Sequence, residues 1–156
     1  SVIFFNLQEN PCLYHLDNDW NGFQWITAND TDNSVVAFVR TDKAGQAVLC
    51  VSNFTPVFHP IYRIGLPLGG TLNEIFNTDR KEYGGSNQYN AYELHAEKSE
   101  FNGFPYSVEI CVPPLSTVYF RYDSFFRRQS PGGIIGRFPK SRFPGGILLK
   151  PPPVFP

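Results

Sequence analysis

Short runs of β-branched and aromatic residues, separated by Gly, Pro, Asn and Asp, recur along the chain after about residue 23. In one run Val35, Ala37 and Val39 alternate with a mixed set of side chains, which predicts a strand with one buried face, as two packed sheets require. The pattern predicts an all-β fold, an antiparallel β-sandwich of about eight strands. The predicted strands are 23–27, 34–41, 46–53, 60–66, 71–77, 94–101, 106–112 and 115–122.

Two connections between these strands carry their own signals. The text "DKAGQ" at 42–46 predicts a hairpin turn. Pro113 and Pro114 cannot supply ladder N–H groups, so the chain must turn or leave the sheet between the last two strands. We expect the strands on either side of this Pro-Pro pair to be antiparallel neighbours.

The two ends of the chain do not share the strand pattern. Residues 1–16 have no sustained helical period and predict at most a short helix broken at Pro11. Residues 124–156 hold 7 of the 14 prolines and repeat "PGGI" and "RFP", a composition that cannot bury enough apolar surface to offset its ordering entropy. We therefore divide the chain into a linker at 1–16, an all-β domain at 17–123 and a disordered or non-native tail at 124–156.

Charge follows the same division. Residues 1–123 hold all 14 acidic residues and 7 of the 13 basic ones, and the other 6 basic residues lie in the tail. The acidic body has no basic stripe, which argues against a nucleic-acid partner, and no apolar run is long enough to cross a membrane. The chain begins with Ser and shows no signal peptide, so we expect an incomplete fragment of a cytoplasmic protein.

The cysteines also agree with a cytoplasmic location, because we expect them to be reduced. Cys50 and Cys111 lie in apolar runs, where a reduced thiol acts as a small hydrophobic side chain, and Cys12 is the third. Asn29 and Asn53 match the glycosylation pattern, but without a secretion signal we interpret both as chance matches.

The usual catalytic and metal-binding patterns are absent. His15, His59 and His95 are isolated from one another and from any Cys pair, so no metal site is predicted, and no glycine-rich segment has the context of a phosphate loop, so no cofactor is predicted either. Asp30 and Asp32 could flank a glycosidic bond, but in an Asx-rich turn they more simply satisfy the local backbone.

Aromatic residues beside amides offer another kind of chemistry. Trp20, Tyr83, Tyr89 and Tyr92 lie near Asn, Gln, Asp and Gly, a composition that suits sugar binding because rings stack on sugar faces and amides bond hydroxyl groups. A sandwich core also needs large aromatics, and the position of Trp25 between Phe23 and Ile26 favours the core. The loop "DRKEYGGSNQYNAYE" at 79–93 is the better surface candidate.

Four segments of the chain resemble a known family in order and spacing. They are "LYHLDNDWNGFQWITANDTDNSVVAFVR", "VLCVSNFTPVFHPIYRIGLP", "LNEIFNTDRKEYGGSN" and "VPPLSTVYF". Together they resemble the C-terminal region of bacterial 1,4-α-glucan branching enzymes of the α-amylase superfamily, from about Asn10 to Tyr122. The start "SVIFFNLQE" departs from that pattern, and the tail matches nothing in the family.

The resemblance implies a role for the fragment. The parent enzyme would form α-1,6 branches in glycogen by retaining transglycosylation, with its catalytic carboxylates in a preceding (β/α)8 barrel. None of those carboxylates has a matching position here, so the resemblance implies an inactive C-terminal domain that stabilises the barrel, its expected partner. The alternative is a stand-alone module that binds α-glucan.

Overall fold

The computed structural model describes residues 22–42 and 45–125, and within them it contains eight strands and one short 3-10 helix, Lys81–Tyr83. The prediction of an antiparallel all-β fold is confirmed. The strands are β1 Phe23–Asp30, β2 Val35–Thr41, β3 Ala47–Asn53, β4 His59–Leu66, β5 Gly70–Asn77, β6 Leu94–His95, β7 Tyr106–Val112 and β8 Ser116–Ser124.

The strands form two antiparallel sheets. The larger has six strands in the order β1-β2-β3-β8-β5-β6, and the smaller consists of β4 and β7. Val35, Ala37 and Val39 are all buried, as their alternation predicts. They join one core cluster to which β4 and β7 also contribute, with Ile64, Leu66, Val108, Ile110 and Val112. The core therefore lies between the two sheets.

Both connections singled out in the sequence can be compared with the structure. The "DKAGQ" hairpin is confirmed, since β2 and β3 pair antiparallel with Thr41 opposite Ala47. The expectation that the strands beside Pro113 and Pro114 are neighbours is wrong. β7 pairs with β4 in the smaller sheet, whereas β8 lies between β3 and β5 in the larger one. The two prolines mark the point where the chain crosses from one sheet to the other.

The predicted strand 94–101 is much shorter than expected. β6 covers only Leu94–His95, and beyond it Glu97 and Phe101 form isolated bridges. Phe101 pairs with Phe104 across a tight turn in which Asn102 and Gly103 have φ values of 50° and 79°. β6 ends earlier, because the Ala96 N–H already bonds the carbonyl of Gly70, the first residue of β5, and the Ser99 N–H then donates to the Glu97 carbonyl at 2.8 Å in a tight turn.

Several predictions lie outside the described residues. These are the linker at 1–16, the tail beyond Phe125, Trp20, His15 and Cys12, and the proposed division into three parts stays a prediction. No helix in the described part of the chain has the length and hydropathy needed to span a membrane.

Candidate functional site

The loop between β5 and β6, residues 78–93, contains the three tyrosines predicted to contact sugar, and we call it the tyrosine loop. It is ordered by two carboxylates that the sequence did not single out. The Asp79 carboxylate accepts hydrogen bonds from the backbone N–H of Ser86 at 2.9 Å, the hydroxyl of Ser86 at 2.8 Å and the N–H of Gln88 at 2.9 Å. Desolvation acts to raise the pKa of Asp79, but these bonds prevail and lower it below the ordinary value.

Glu74 holds the other half of the loop. Its side chain is only 2% exposed, and it accepts bonds from the Arg80 guanidinium at 3.1 Å and from the backbone N–H and carboxamide of Asn90 at 2.7 and 2.9 Å. The Asn90 carboxamide in turn bonds both the N–H and the C=O of Cys111 on β7. It pairs with that strand as a neighbouring backbone would, so the loop is anchored to both sheets.

The conformation of the loop explains why two glycines, Gly84 and Gly85, occur in the segment "GGSN". Gly84 has φ +83° and closes the 3-10 turn, a conformation that glycine adopts without strain. At Gly85 a Cβ would lie 2.1 Å from the Asp79 carbonyl oxygen, so a larger residue would force the loop backbone apart. These glycines shape the turn around Asp79.

The predicted sugar-contacting tyrosines do not form one stacking surface. Tyr83 lies 6.0 Å from the ring of Phe76, on the face of the larger sheet that points away from the core, and Tyr89 lies under the Arg80 guanidinium at 4.0 Å. Tyr92 is 83% exposed and makes no ring contact with any described residue. The expectation that Trp25 lies in the core is wrong, since it is half-buried and packs outside the core against Phe23 and Phe38. The assignment of the tyrosines to sugar binding stays a prediction.

Of the two aspartates considered for glycoside chemistry, Asp30 has a structural role. Its carboxylate accepts hydrogen bonds from the N–H and carboxamide of Asn33 and from the Tyr62 hydroxyl on β4, so it closes the β1–β2 turn and links the two sheets. Desolvation opposes ionisation, but the bonds from Tyr62 and Asn33 and the nearby His59 lower the pKa of Asp30. Asp32 is exposed. Asp30 and Asp32 are therefore not arranged as a pair of carboxylates for glycoside chemistry.

Metal-binding side chains are similarly dispersed. No group of three or more His, Cys, Asp or Glu side chains in the described ranges could hold a metal ion. Cys50 is 2% exposed on β3, as expected for a small apolar side chain. Cys111 is half-buried, and desolvation together with the charges of Glu74 and Asp79 raises the pKa of its thiol, which keeps it protonated.

A second surface was not predicted from the sequence. Five large apolar side chains lie exposed at the end of the sandwich where β3 ends, β4 begins and β7 connects to β8. We call them the apolar patch: Phe54, Val57, Phe58, Ile61 and Leu115.

The segments that carry the patch are fixed by Asn53, which is 2% exposed. Its carboxamide donates to the carbonyls of Val57 and Pro113 at 2.8 and 2.9 Å, and its oxygen accepts from the N–H and hydroxyl of Thr55 at 2.9 and 2.8 Å. The N–H of Leu115 donates to the Thr55 carbonyl at 2.8 Å. Because the carboxamide is enclosed and fully used, Asn53 has no side-chain atom left for a glycan.

Comparison with known proteins identifies the family to which this domain belongs. Residues 25–123 match the family described as the alpha amylase, C-terminal all-beta domain. The chain belongs to this family. The matched region, from Trp25 to Asp123, includes strands of both sheets, and the match supports the fold that the resemblance implied.

Curated relatives indicate which enzymes carry such a domain. The chain is 46% identical over 114 residues to the 1,4-alpha-glucan branching enzyme GlgB of Synechococcus sp. (strain CC9902), a match that covers 72% of this chain and 15% of that enzyme. It is 44% identical over 115 residues to the enzyme of the same name from Paraburkholderia xenovorans (strain LB400), covering 74% of this chain and 16% of that enzyme. The chain thus spans less than a fifth of the length of these relatives.

Proposed function

We propose that this chain is the non-catalytic C-terminal domain of a 1,4-α-glucan branching enzyme and that it stabilises the catalytic barrel of that enzyme. The observation that carries the proposal is the match to one region of a much longer branching enzyme, at 46% identity over 114 residues. Four acidic side chains of the domain agree with a structural role. Asp30, Asp42, Glu74 and Asp79 each accept hydrogen bonds from the domain's own backbone.

A chimera tests this proposal. In the Synechococcus sp. (strain CC9902) enzyme, the region that matches this chain is either deleted or replaced by the complete 156-residue chain. We expect the deletion to lower the thermal unfolding midpoint and the branching activity, and the replacement to restore both. The isolated chain should have no branching activity.

Two results would contradict the proposal. One is branching activity in the isolated chain, measured by the iodine spectrum of amylose. The other is an enzyme that lacks the matching region and is nevertheless as stable and active as the intact one, because a stabilising domain cannot be dispensable for stability.

We also propose, as a second candidate function, that the tyrosine loop binds α-glucan. The observation that favours it is a pre-ordered loop with an exposed ring at its end, since Tyr92 is 83% exposed while Asp79 and Glu74 fix the backbone around it. Stacking on such a ring would add a glucan contact remote from the catalytic carboxylates.

Native gel electrophoresis in glycogen tests this second function. We expect retardation of the 156-residue chain relative to a gel without glycogen, and we expect the Tyr83→Ala, Tyr89→Ala and Tyr92→Ala variants to migrate faster than the parent. Phe54→Ala is the control, since it removes another exposed ring that lies outside the loop. If the parent chain is not retarded, or if Phe54→Ala abolishes retardation as well, the loop is not a glucan site.

A further inference from the structure

The apolar patch has no role within the domain. Phe54 is 66% exposed, Ile61 70% and Leu115 68%, so none of them contributes a full buried side chain to the core. Single exposed apolar residues are ordinary, but a contiguous group of large ones marks an interaction surface. Here the two segments that carry the group are bonded to each other through Asn53 and the Leu115 N–H, which brings Leu115 to the same end of the sandwich as the loop that follows β3.

Leu115 is the least expected member of the patch. It has φ +46°, a left-handed conformation in which Asn, Asp and Gly are favoured and Leu is uncommon. Neither burial nor backbone preference explains a leucine at this position of the isolated domain. An apolar contact outside the domain would explain it, because that contact would bury the side chain.

The chemistry of the surroundings narrows the choice of partner. No Asp, Glu, Lys or Arg occurs at 53–62 or at 110–120, the two stretches that carry the patch, whereas Asp30 and Asp32 lie in the β1–β2 turn beside it, where the Ser34 carbonyl accepts a hydrogen bond from the Phe54 N–H. Depletion of charge is characteristic of the buried centre of protein interfaces. A glucan would require convergent polar groups, and the carboxamide of Asn53 is already occupied by the domain's own backbone.

We infer that the apolar patch is the surface by which this domain docks on the remainder of its enzyme. This inference rests on the proposed function and names the contact that stabilises the barrel. The occupant is an apolar, uncharged surface of the same polypeptide, since the matched region is only 15% of the length of the Synechococcus relative and most of that enzyme lies beyond it. The rigid loops around Asn53 hold the patch ready for that contact, which reduces the entropy lost on docking.

A pair of matched substitutions in the chimera tests the inference. Leu115→Asp places a carboxylate in the patch, and Asn102→Asp places one at another exposed residue with similar backbone, φ +46° against φ +50°. The two positions flank opposite ends of β7, Tyr106–Val112. Because both backbones suit Asp, neither substitution should lower the unfolding midpoint of the isolated 156-residue chain.

In the chimera the two variants should differ. We expect Leu115→Asp to split its single thermal transition into two and to remove the slow hydrogen exchange that docking confers on residues 53–61 and 113–116. Asn102→Asp should unfold as the parent chimera does. The inference is overturned if the parent chimera unfolds as one unit and Leu115→Asp does too, a result that leaves the proposed function intact.

Two other results have different meanings. If the parent chimera is no more stable than the deleted enzyme, the proposed function itself fails. If instead the chimera forms a dimer in sedimentation experiments and Leu115→Asp converts it to a monomer with an unchanged single transition, the patch joins two copies, and docking on the barrel is excluded.

Discussion

Asn53 shows how one polar side chain can organise an apolar surface. Its four hydrogen bonds connect the end of β3, the loop to β4 and the turn between β7 and β8. In the sequence it appears only as the first residue of a possible glycosylation site. Its carboxamide nitrogen is buried and donates to two backbone carbonyls, so a glycan attached there would not fit this fold, which agrees with the interpretation of that match as chance.

We predict that Asn53→Ala lowers the free energy of unfolding by about 2 kcal/mol, because buried polar groups that lose their partner cost roughly 1–3 kcal/mol. Urea denaturation of the 156-residue chain measures this. Asn29→Ala is the control, since Asn29 is exposed and its side chain makes no hydrogen bond with the described residues. A loss smaller than about 0.5 kcal/mol, the range of ordinary surface substitutions, would show that the network is dispensable.

At the scale of elements, the strands were predictable because their evidence is local. Alternation in β2 and the apolar run of β3 fix which faces are buried, and the observed bounds differ little from those predicted. The sheet to which each strand belongs is a different matter. Pro113 and Pro114 predict a break after β7. That β8 then joins the other sheet depends on the packing of strands that are distant in the sequence.

The candidate sites were harder to predict from the sequence, because they too depend on contacts between residues that are distant in the chain. The tyrosines could be found by composition, but the carboxylates that order their loop, Glu74 and Asp79, bond residues up to 16 positions away. The apolar patch joins residues 54–61 to Leu115, which are remote in sequence. A leucine after two prolines gives no local sign that its side chain will be exposed beside Phe54.

For the whole molecule, two carboxylates couple the fold to pH. Asp30 links the two sheets through Tyr62, and Asp79 fixes the tyrosine loop. In both, desolvation is outweighed by hydrogen bonds, and the pKa in the folded state lies below the ordinary value. The unfolded chain therefore binds more protons than the folded one between the folded pKa and the unfolded value of about 3.9.

The sign of the effect follows. The stabilisation is fully present above the unfolded pKa and is lost as the pH falls through the folded pKa values, so we predict that the free energy of unfolding decreases from about pH 5 towards pH 2. Urea denaturation at a series of pH values measures the decrease. Asp79→Asn should lower stability at pH 7 and reduce the slope, because an amide nitrogen cannot accept the bonds from Ser86 and Gln88.

The control for this titration is Asp32→Asn, whose exposed side chain takes part in no hydrogen bond among the described residues. That variant should keep the slope of the parent chain. If Asp79→Asn also keeps the full slope, the loss of stability in acid arises elsewhere in the chain, and the Asp79 network does not set the pH dependence. If its slope falls while that of Asp32→Asn does not, the order of the tyrosine loop and the stability of the sandwich are linked through one ionised carboxylate.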